Sequence, residues 1–275
     1  MTQNPEIVKI RPRESFVALD LRELWNYREL LYFLTWRDIK IRYKQTAIGV
    51  AWAVMQPVLT TAIFTVLFSA WARFDTSDVP YPVFALSGLL VWLFTNNAVT
   101  FASNSFVSNT NLVTKVYFPR LIVPLAATLA GILDLALGLV ILIGMMAWFG
   151  TGLSRQNFMA PLFLVLAFVL TVSLGTMFSA LNVRFRDVKF ALPFLLQIWM
   201  IASPVFYPAS IVSEKWRLAF SFNPLTGILD GFRSALFGTP FHWDMIGISV
   251  GVTTLFMLTA LFVFKRMEDD FADLI

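Results

Sequence analysis

Long uncharged runs of apolar residues recur along the chain and predict six membrane-spanning helices. A helix needs about 20 apolar residues to cross the hydrocarbon core of a bilayer. The six predicted spans lie within residues 49–71, 81–101, 121–149, 156–183, 190–213 and 245–264. Asp134 is the one clear carboxylate inside them. The fold class predicted from this pattern is an all-α membrane protein.

A shorter apolar stretch between the fifth and sixth spans has about half the length needed to cross. Asn223 and Pro224 suit the cap and first turn of a helix. The apolar positions then follow helical spacing, at Leu225, Ile228, Leu229, Phe232 and Leu236, with Asp230 and Arg233 off that stripe. The pattern predicts either a short helix dipping into the outer interface or an ordinary loop helix on the surface.

The segment before the first span, residues 20–46, has an amphipathic pattern. Trp36, Ile39 and Tyr43 share one side of a predicted helix, and basic residues recur on another. Tryptophan and tyrosine favour the membrane interface, and basic groups meet anionic headgroups there. The segment is expected to lie along the cytoplasmic surface. It is either a simple anchor or a cuff that guards the cytoplasmic mouth and contacts a partner protein.

The distribution of lysine and arginine predicts the orientation. Sixteen of the 21 basic residues precede the first span, lie in the loops after spans two and four, or follow span six, and the other five lie in the alternating loops. Positive charge marks the cytoplasmic side, so both termini are expected there. This divides the chain into a cytoplasmic segment (1–48), a six-helix membrane domain (49–264) and a cytoplasmic tail (265–275). No cleavable signal peptide is visible near the start, so the first span is expected to direct insertion.

Composition excludes several kinds of chemistry. Only 14% of the residues are charged, against about 25% in soluble domains. The chain has no cysteine and a single histidine, His242, so thiolate catalysis and multi-histidine metal sites are not expected. It has no phosphate-binding loop and no zinc-protease or serine-hydrolase motif. We therefore expect no enzymatic activity, no cofactor and no metal. The charges lie at the ends of spans, so nucleic-acid binding is not expected either.

Asp134 and the aromatic residues are the candidate functional groups inside the spans. An intramembrane carboxylate is a functional candidate, or it is hydrogen-bonded to a neighbouring helix. One isolated aspartate gives little support for ion-coupled transport, so the energy is expected from another subunit. Most of the 43 aromatic side chains suit the interface and lipid contact. Some could stack on sugar rings along a conduit, and the candidates are Trp52, Phe64, Phe68, Trp71, Trp199, Phe206 and Tyr207.

An ordered set of short motifs resembles a known family. The set consists of residues 37–46 running into 49–52 and Gln56-Pro57, then 115–120 before span three, 183–188 after span four, 203–208, and Asn223-Pro224. In kind and order these resemble the ABC-2 type permeases that export polysaccharides, and the resemblance covers nearly the whole chain. Exporters of lipid-linked O-antigen are the most similar kind, with capsule and teichoic-acid exporters nearby.

The resemblance implies a homodimer joined to two separate ABC ATPase subunits, which would bind ATP and Mg. It implies that an undecaprenyl pyrophosphate-linked glycan passes between the permeases, and that membrane lipids surround them. A coupling helix is implied at residues 104–118, and the short segment between spans five and six would be a periplasmic gate. The residues implied for ATPase coupling are Leu112, Val113, Lys115, Val116, Tyr117, Arg120, Arg184, Arg186 and Asp187.

The amino-terminal helix would form a second gate. Arg37, Lys40, Arg42 and Lys44 are placed to meet the lipid pyrophosphate, although headgroup anchoring explains them equally well. Two rival functions remain open from the sequence. One is an ABC-2 permease that exports a small hydrophobic drug or lipid, and the other is a membrane enzyme or scaffold in glycan assembly. The shortage of buried acid–base groups counts against the enzyme.

Overall fold

Helices account for all the regular structure in the residues that the computed structural model describes, namely 21–44, 51–71, 79–152, 154–268 and 271. They are α1 (Leu21–Asn26), α2 (Arg28–Lys44), α3 (Ala51–Trp71), α4 (Tyr81–Ser108), α5 (Thr110–Lys115), α6 (Ile122–Ala130), α7 (Ile132–Trp148), α8 (Ala160–Arg184), α9 (Val188–Ile201), α10 (Glu214–Ser221), α11 (Pro224–Phe237) and α12 (Trp243–Glu268), with 3-10 turns at Arg155–Met159 and Ala209–Ile211. The predicted all-α membrane fold is confirmed at this level.

Five helical stretches are long and apolar enough to cross a membrane. They are Ala51–Phe68, Tyr81–Ser108, Ile122–Trp148, Arg155–Arg184 and Trp243–Glu268. They match the first four predicted spans and the sixth, within a few residues at most ends. Residue 20, where the predicted amphipathic segment begins, and residues 45–50 lie outside the described part of the chain.

The fifth predicted span, 190–213, has a different form from a continuous helix. α9 has 14 residues, which is about 21 Å at 1.5 Å per residue and less than the ~30 Å hydrocarbon core. The chain then turns through residues 202–208. Pro204 and Pro208 explain this ending, because proline lacks an amide donor and disfavours helical backbone in the residue before it. A sixth crossing is therefore not established by helix length.

α4 lies at the centre of the bundle and packs closely on α8. In the apolar stretch of α4, 78% of the residues are buried, whereas in that of α3 only 11% are. Small residues permit the close approach, since a Cβ added at Gly175 would lie 2.8 Å from the Cβ of Ala102. Polar side chains join the same two helices: Thr171 donates to the Thr95 hydroxyl at 3.2 Å, and Asn182 donates to the Ser103 carbonyl at 2.9 Å.

The bundle has two ends that are distinguished by their contacts. At one end, a second apolar cluster brings together α2, the end of α4, the start of α6 and the ends of α8 and α12; its members include Leu34, Phe106, Ile122, Val183 and Phe264. At the other end, α11 packs against the starts of α8 and α12. There the amide of Gly227 donates to the Ser249 hydroxyl at 3.1 Å. We call these the α5 end and the α11 end.

The short helix predicted after Asn223 is present as α11. Asn223 caps it by accepting a hydrogen bond from the Leu225 amide at 3.2 Å, and the predicted apolar stripe is buried. Arg233 was predicted to lie off that stripe, and this is wrong, because it is only 6% exposed. Leu229, Arg233 and Leu236 are spaced i, i+4 and i+7, so they share one side of the helix.

The coupling helix predicted at 104–118 has different bounds in the structure. α4 continues through Ser108, and the separate helix α5 covers only Thr110–Lys115. Asn109 lies between the two helices with backbone angles of −120° and 27°. The first five predicted residues therefore belong to the long central helix.

Candidate transport path and docking surface

The predicted aromatic residues form separate groups. Phe64 stacks on Phe206 with ring centroids 3.6 Å apart, and Phe68 stacks on Phe64 at 5.8 Å. Tyr81 donates to the Phe206 carbonyl at 2.9 Å, which joins this group to the start of α4. Because Phe206 is 7% exposed, its ring seals the contact between α3 and the 202–208 turn and does not line an open surface.

The other predicted aromatics lie apart from this stack. Trp199 meets Trp92 edge to face at 5.7 Å and donates its indole N–H to Asn223 at 2.9 Å. Tyr207 donates to the Ile201 carbonyl at 2.9 Å. Trp52 is 55% exposed and lies at the other end of α3. The side chain of Trp71 lies outside the described part of the structure.

The four basic residues predicted on the amino-terminal helix have different surroundings. Arg37 pairs with its neighbour Asp38 at 2.7 Å, and the Lys40 ammonium lies 5.4 Å from the centre of the Trp36 ring. Lys44 is exposed. Arg42 alone reaches into the bundle, where it pairs with Asp134 of α7.

Asp134 is held by two residues that neighbour each other on α2. Arg42 Nη1 donates to Oδ2, and the Tyr43 hydroxyl donates to Oδ1. The guanidinium carbon of Arg42 also lies 4.3 Å from the centre of the Phe101 ring. The sequence left Asp134 either as a functional carboxylate or as a carboxyl hydrogen-bonded to a neighbouring helix. The structure shows the hydrogen bonds to a neighbouring helix. Sequence reasoning selected Arg42 and Asp134 separately and missed that they meet.

Two cavities flank this ion pair. One, of about 270 Å³, lies between the end of α2, the start of α3, the middle of α4 and the start of α7, and includes Trp52, Gln56, Asn97 and Asp134. The other, of about 430 Å³, lies between α2, the end of α4 and α6. Arg42 and Phe101 line both. The guanidinium therefore stands between a cavity that enters the bundle and a cavity under α2.

The predicted coupling residues divide between a buried anchor and an exposed face. Val113 is 5% exposed and packs into the apolar cluster of the α5 end, whereas Tyr117 is 84% exposed. Lys115 and Val116 are exposed, Leu112 is half-buried, and Arg120 lies 6.0 Å from the centre of the Phe271 ring. Arg184, Arg186 and Asp187 are exposed at the same end of the bundle. The structure thus brings the predicted coupling residues to the same end of the bundle.

Arg233 forms a polar site at the α11 end that sequence reasoning missed. Its guanidinium donates to the carbonyls of Pro204 at 2.5 Å and Val205 at 2.6 Å, and also reaches the Phe84 carbonyl and the Ser87 hydroxyl. It lies 3.7 Å from the centre of the Phe84 ring. Burial lowers the pKa of Arg233 to about 9, and the nearby Asp230 carboxylate opposes that change. The guanidinium thus stays charged at neutral pH.

Gly88 makes room for this arginine. A Cβ at position 88 would lie 2.3 Å from Arg233 Nη2 and 2.4 Å from the Val205 carbonyl oxygen. The signal in the sequence was an arginine at helical spacing from Leu229 and Leu236. A glycine inside the most buried span, Gly88, was a second signal. Neither signal shows from the sequence that these two residues meet.

Within the described ranges, no group of three or more histidine, cysteine, aspartate or glutamate residues could hold a metal ion. The charged contacts in that part of the chain include the Arg42–Asp134 pair, the Arg233 site and the His242–Asp230 pair at 2.8 Å. The fold defines a multi-pass helical membrane protein.

The chain belongs to the ABC-2 type transporter family, whose model matches residues 29–237. It is 25% identical to the O-antigen export system permease protein RfbA of Myxococcus xanthus, over 92% of this chain and 98% of that protein. It is also 25% identical to a protein of the same name from Klebsiella pneumoniae, over 90% and 95% of the two chains. The polysialic acid transport protein KpsM of Escherichia coli is 23% identical over 82% and 87%. The predicted family is confirmed.

Proposed function

We propose that this chain is the permease subunit of an ABC exporter that moves a lipid-linked polysaccharide, an O-antigen in the first instance, across the bacterial inner membrane. The observation that carries the proposal is the full-length similarity to O-antigen export permeases, which leaves neither chain with a large unmatched region.

In the proposed topology the chain crosses six times and both termini are cytoplasmic. Two contacts support a crossing between α8 and α11. α9 begins just after Val183, which belongs to the cluster of the α5 end. The turn that follows α9 reaches Tyr81, at the start of α4, through the Phe206 carbonyl. The chain thereby passes from one end of the bundle to the other, and the turn supplies the length that α9 lacks.

In the proposed complex a separate ATPase, which carries ATP and Mg, docks at the α5 end. The support is the combination of an anchored helix and an exposed tip. Val113 fixes α5 to the bundle, and Tyr117 leaves a large aromatic side chain in solvent. Exposed aromatics next to cationic groups are typical of interface anchors.

We also propose that two copies of the chain form the export path, with the undecaprenyl-linked glycan passing between them. α3 is the least buried of the spanning helices. Leu59, Ile63 and Val66 on α3 and Phe190, Phe194 and Ile201 on α9 are all at least half exposed. These helices therefore offer apolar surface to a second copy and to lipid. In this proposal α2 and α11 are the gates of the path.

Deletion of the gene, followed by analysis of surface glycan, tests the cargo. We expect long glycan to disappear from the surface and lipid-linked glycan to accumulate inside. Unchanged surface glycan would refute the polysaccharide assignment and favour export of a small hydrophobic drug or lipid.

Affinity purification from native membrane tests the complex. We expect one ATPase subunit per permease, and ATP hydrolysis by the purified permease alone would refute the assignment of the energy source.

A further inference from the structure

The end of α2 is fastened to the bundle by one charged contact. Arg42 and Tyr43 both bind Asp134, at separations of 92 and 91 residues along the chain. The side chains of Arg42 and Asp134 are 18% and 22% exposed. Because the pair has so little solvent, removal of either partner leaves the other charge poorly solvated.

The cavity beside this pair is amphipathic. Its lining is apolar at Leu90, Leu93 and Phe94 and polar at Gln56, Asn97 and the Arg42–Asp134 pair. Among the described residues of this lining, Asp134 is the only carboxylate and Arg42 is the only cation. An amphiphile with an anionic head would find both a charge partner and apolar contact there. Its head would then compete with Asp134 for the same guanidinium.

Phosphate is well suited to win that competition. A guanidinium binds phosphate oxygens through two parallel hydrogen bonds, and the doubly charged group attracts it more strongly than a carboxylate does. A phosphate at Arg42 would also repel the Asp134 carboxylate close by. The Tyr43 hydroxyl would then be the one remaining contact of Asp134 with the end of α2.

We infer that the Arg42–Asp134 pair is an internal latch, in which Asp134 holds the place that the phosphate head of an apolar chain takes when it enters the cavity. The inference rests on the proposed function for the source of that lipid, and the chemistry it needs is a phosphate ester on a hydrocarbon chain. Binding exchanges one anion for another at Arg42 and releases the end of α2 from α7. The latch thereby couples arrival of the lipid head to movement of the amino-terminal helix.

Native mass spectrometry of the purified full-length chain in a non-ionic detergent tests the latch. The probes are undecaprenyl phosphate, phosphatidylglycerol and the zwitterionic phosphatidylethanolamine, and the readout is the apparent Kd of each. Asp134→Asn removes the competing charge and keeps the size of the side chain. We expect it to tighten binding of the phosphate probe by up to about fivefold, since a partly exposed ion pair contributes up to ~1 kcal/mol and 1.4 kcal/mol is tenfold.

Two further variants isolate the guanidinium. Arg42→Gln should weaken binding of the phosphate probe by at least the factor by which Asp134→Asn tightens it. In the double variant Arg42→Gln, Asp134→Asn, the tighter binding should be lost. Arg28→Gln is the matched control, because it removes an arginine from an exposed position of the same helix that lines neither cavity. It should leave the Kd unchanged. A melting curve without lipid accompanies each variant, so that loss of folding is distinguished from loss of binding.

The outcomes separate the latch from a purely structural ion pair. Tighter binding in Asp134→Asn supports the latch, and the probe that responds identifies the source, either the undecaprenyl carrier or ordinary anionic lipid. Weaker or unchanged binding of both anionic probes in a folded Asp134→Asn variant overturns it. That result would leave the proposed function intact, since the deletion strain tests the cargo separately. Unchanged surface glycan in that strain would instead remove the proposed function and leave an anionic-lipid latch.

Discussion

The Arg233 site should be a main source of stability at the α11 end. Arg233→Met keeps an unbranched apolar stem and removes the guanidinium. The carbonyls of Pro204 and Val205 would then lose donors at 2.5 and 2.6 Å. An unsatisfied buried group costs about 1–3 kcal/mol, so the two carbonyls together imply a loss of about 2–6 kcal/mol. The 202–208 turn should detach from α11 before the rest of the bundle unfolds.

Gly88→Ala disturbs the same site from the opposite side. The new Cβ would lie 2.3 Å from the guanidinium and 2.4 Å from a backbone oxygen, so the turn or α4 must move by about 1 Å to restore ordinary contact. Gly144→Ala is the matched control, because no atom lies within 4 Å of the position of its Cβ. Alanine favours a helix over glycine by about 1 kcal/mol, so this control should be neutral or stabilising.

Thermal unfolding of the purified chain in detergent, followed by fluorescence, measures these effects. We expect Arg233→Met and Gly88→Ala to lower the melting temperature by several degrees and Gly144→Ala to leave it unchanged or higher. Proteolysis should show early cleavage near residue 207 in the first two variants. Melting of Arg233→Met at the wild-type temperature would refute the reasoning, because it would mean that the two carbonyls find other donors at no cost.

Two further predictions concern the docking surface and the α4–α8 contact. Tyr117→Ala should reduce retention of the ATPase in affinity purification by about 30-fold, as expected for an aromatic anchor worth ~2 kcal/mol. Phe158→Ala, which removes an exposed ring at the opposite end of the bundle, should leave retention unchanged, and equal loss in both would contradict a specific anchor. Asn182→Ala removes a buried donor from the Ser103 carbonyl and should lower the unfolding free energy by about 1–3 kcal/mol, which a melting curve without any downward shift would disprove.

Five of the predicted spans were predictable from sequence because the bilayer imposes length and polarity on each helix separately. Five predicted spans needed only an apolar run of sufficient length. α11 was also predictable, since Asn223, Pro224 and the spacing of Leu225 and Ile228 are local signals. The two helix ends that were misplaced, at α5 and α9, depend on turns whose geometry is fixed by tertiary contacts.

The polar sites could not be predicted because each joins distant parts of the chain. Asp134 and Arg42 were both chosen as candidate functional residues. An apolar pattern, however, does not show which faces of two helices pack against each other. Arg233 was placed off its stripe because a charged residue is normally exposed. It is buried here since α9 ends early and leaves carbonyls that need a donor. Similarly, the aromatic candidates were chosen by type, whereas packing separated Phe64 and Phe206 from Trp52.

The orientation of the two ends is the claim on which the proposed function most depends, and the cysteine-free chain permits a direct measurement. Single cysteines are introduced at Tyr117, 84% exposed at the α5 end, and at Phe158, 91% exposed near the start of α8. A membrane-impermeant maleimide is then applied to spheroplasts and to inverted vesicles. The account predicts labelling of position 158 only from outside and of position 117 only from inside. Labelling of position 117 in intact spheroplasts would place the docking surface away from any cytoplasmic ATPase and contradict the account.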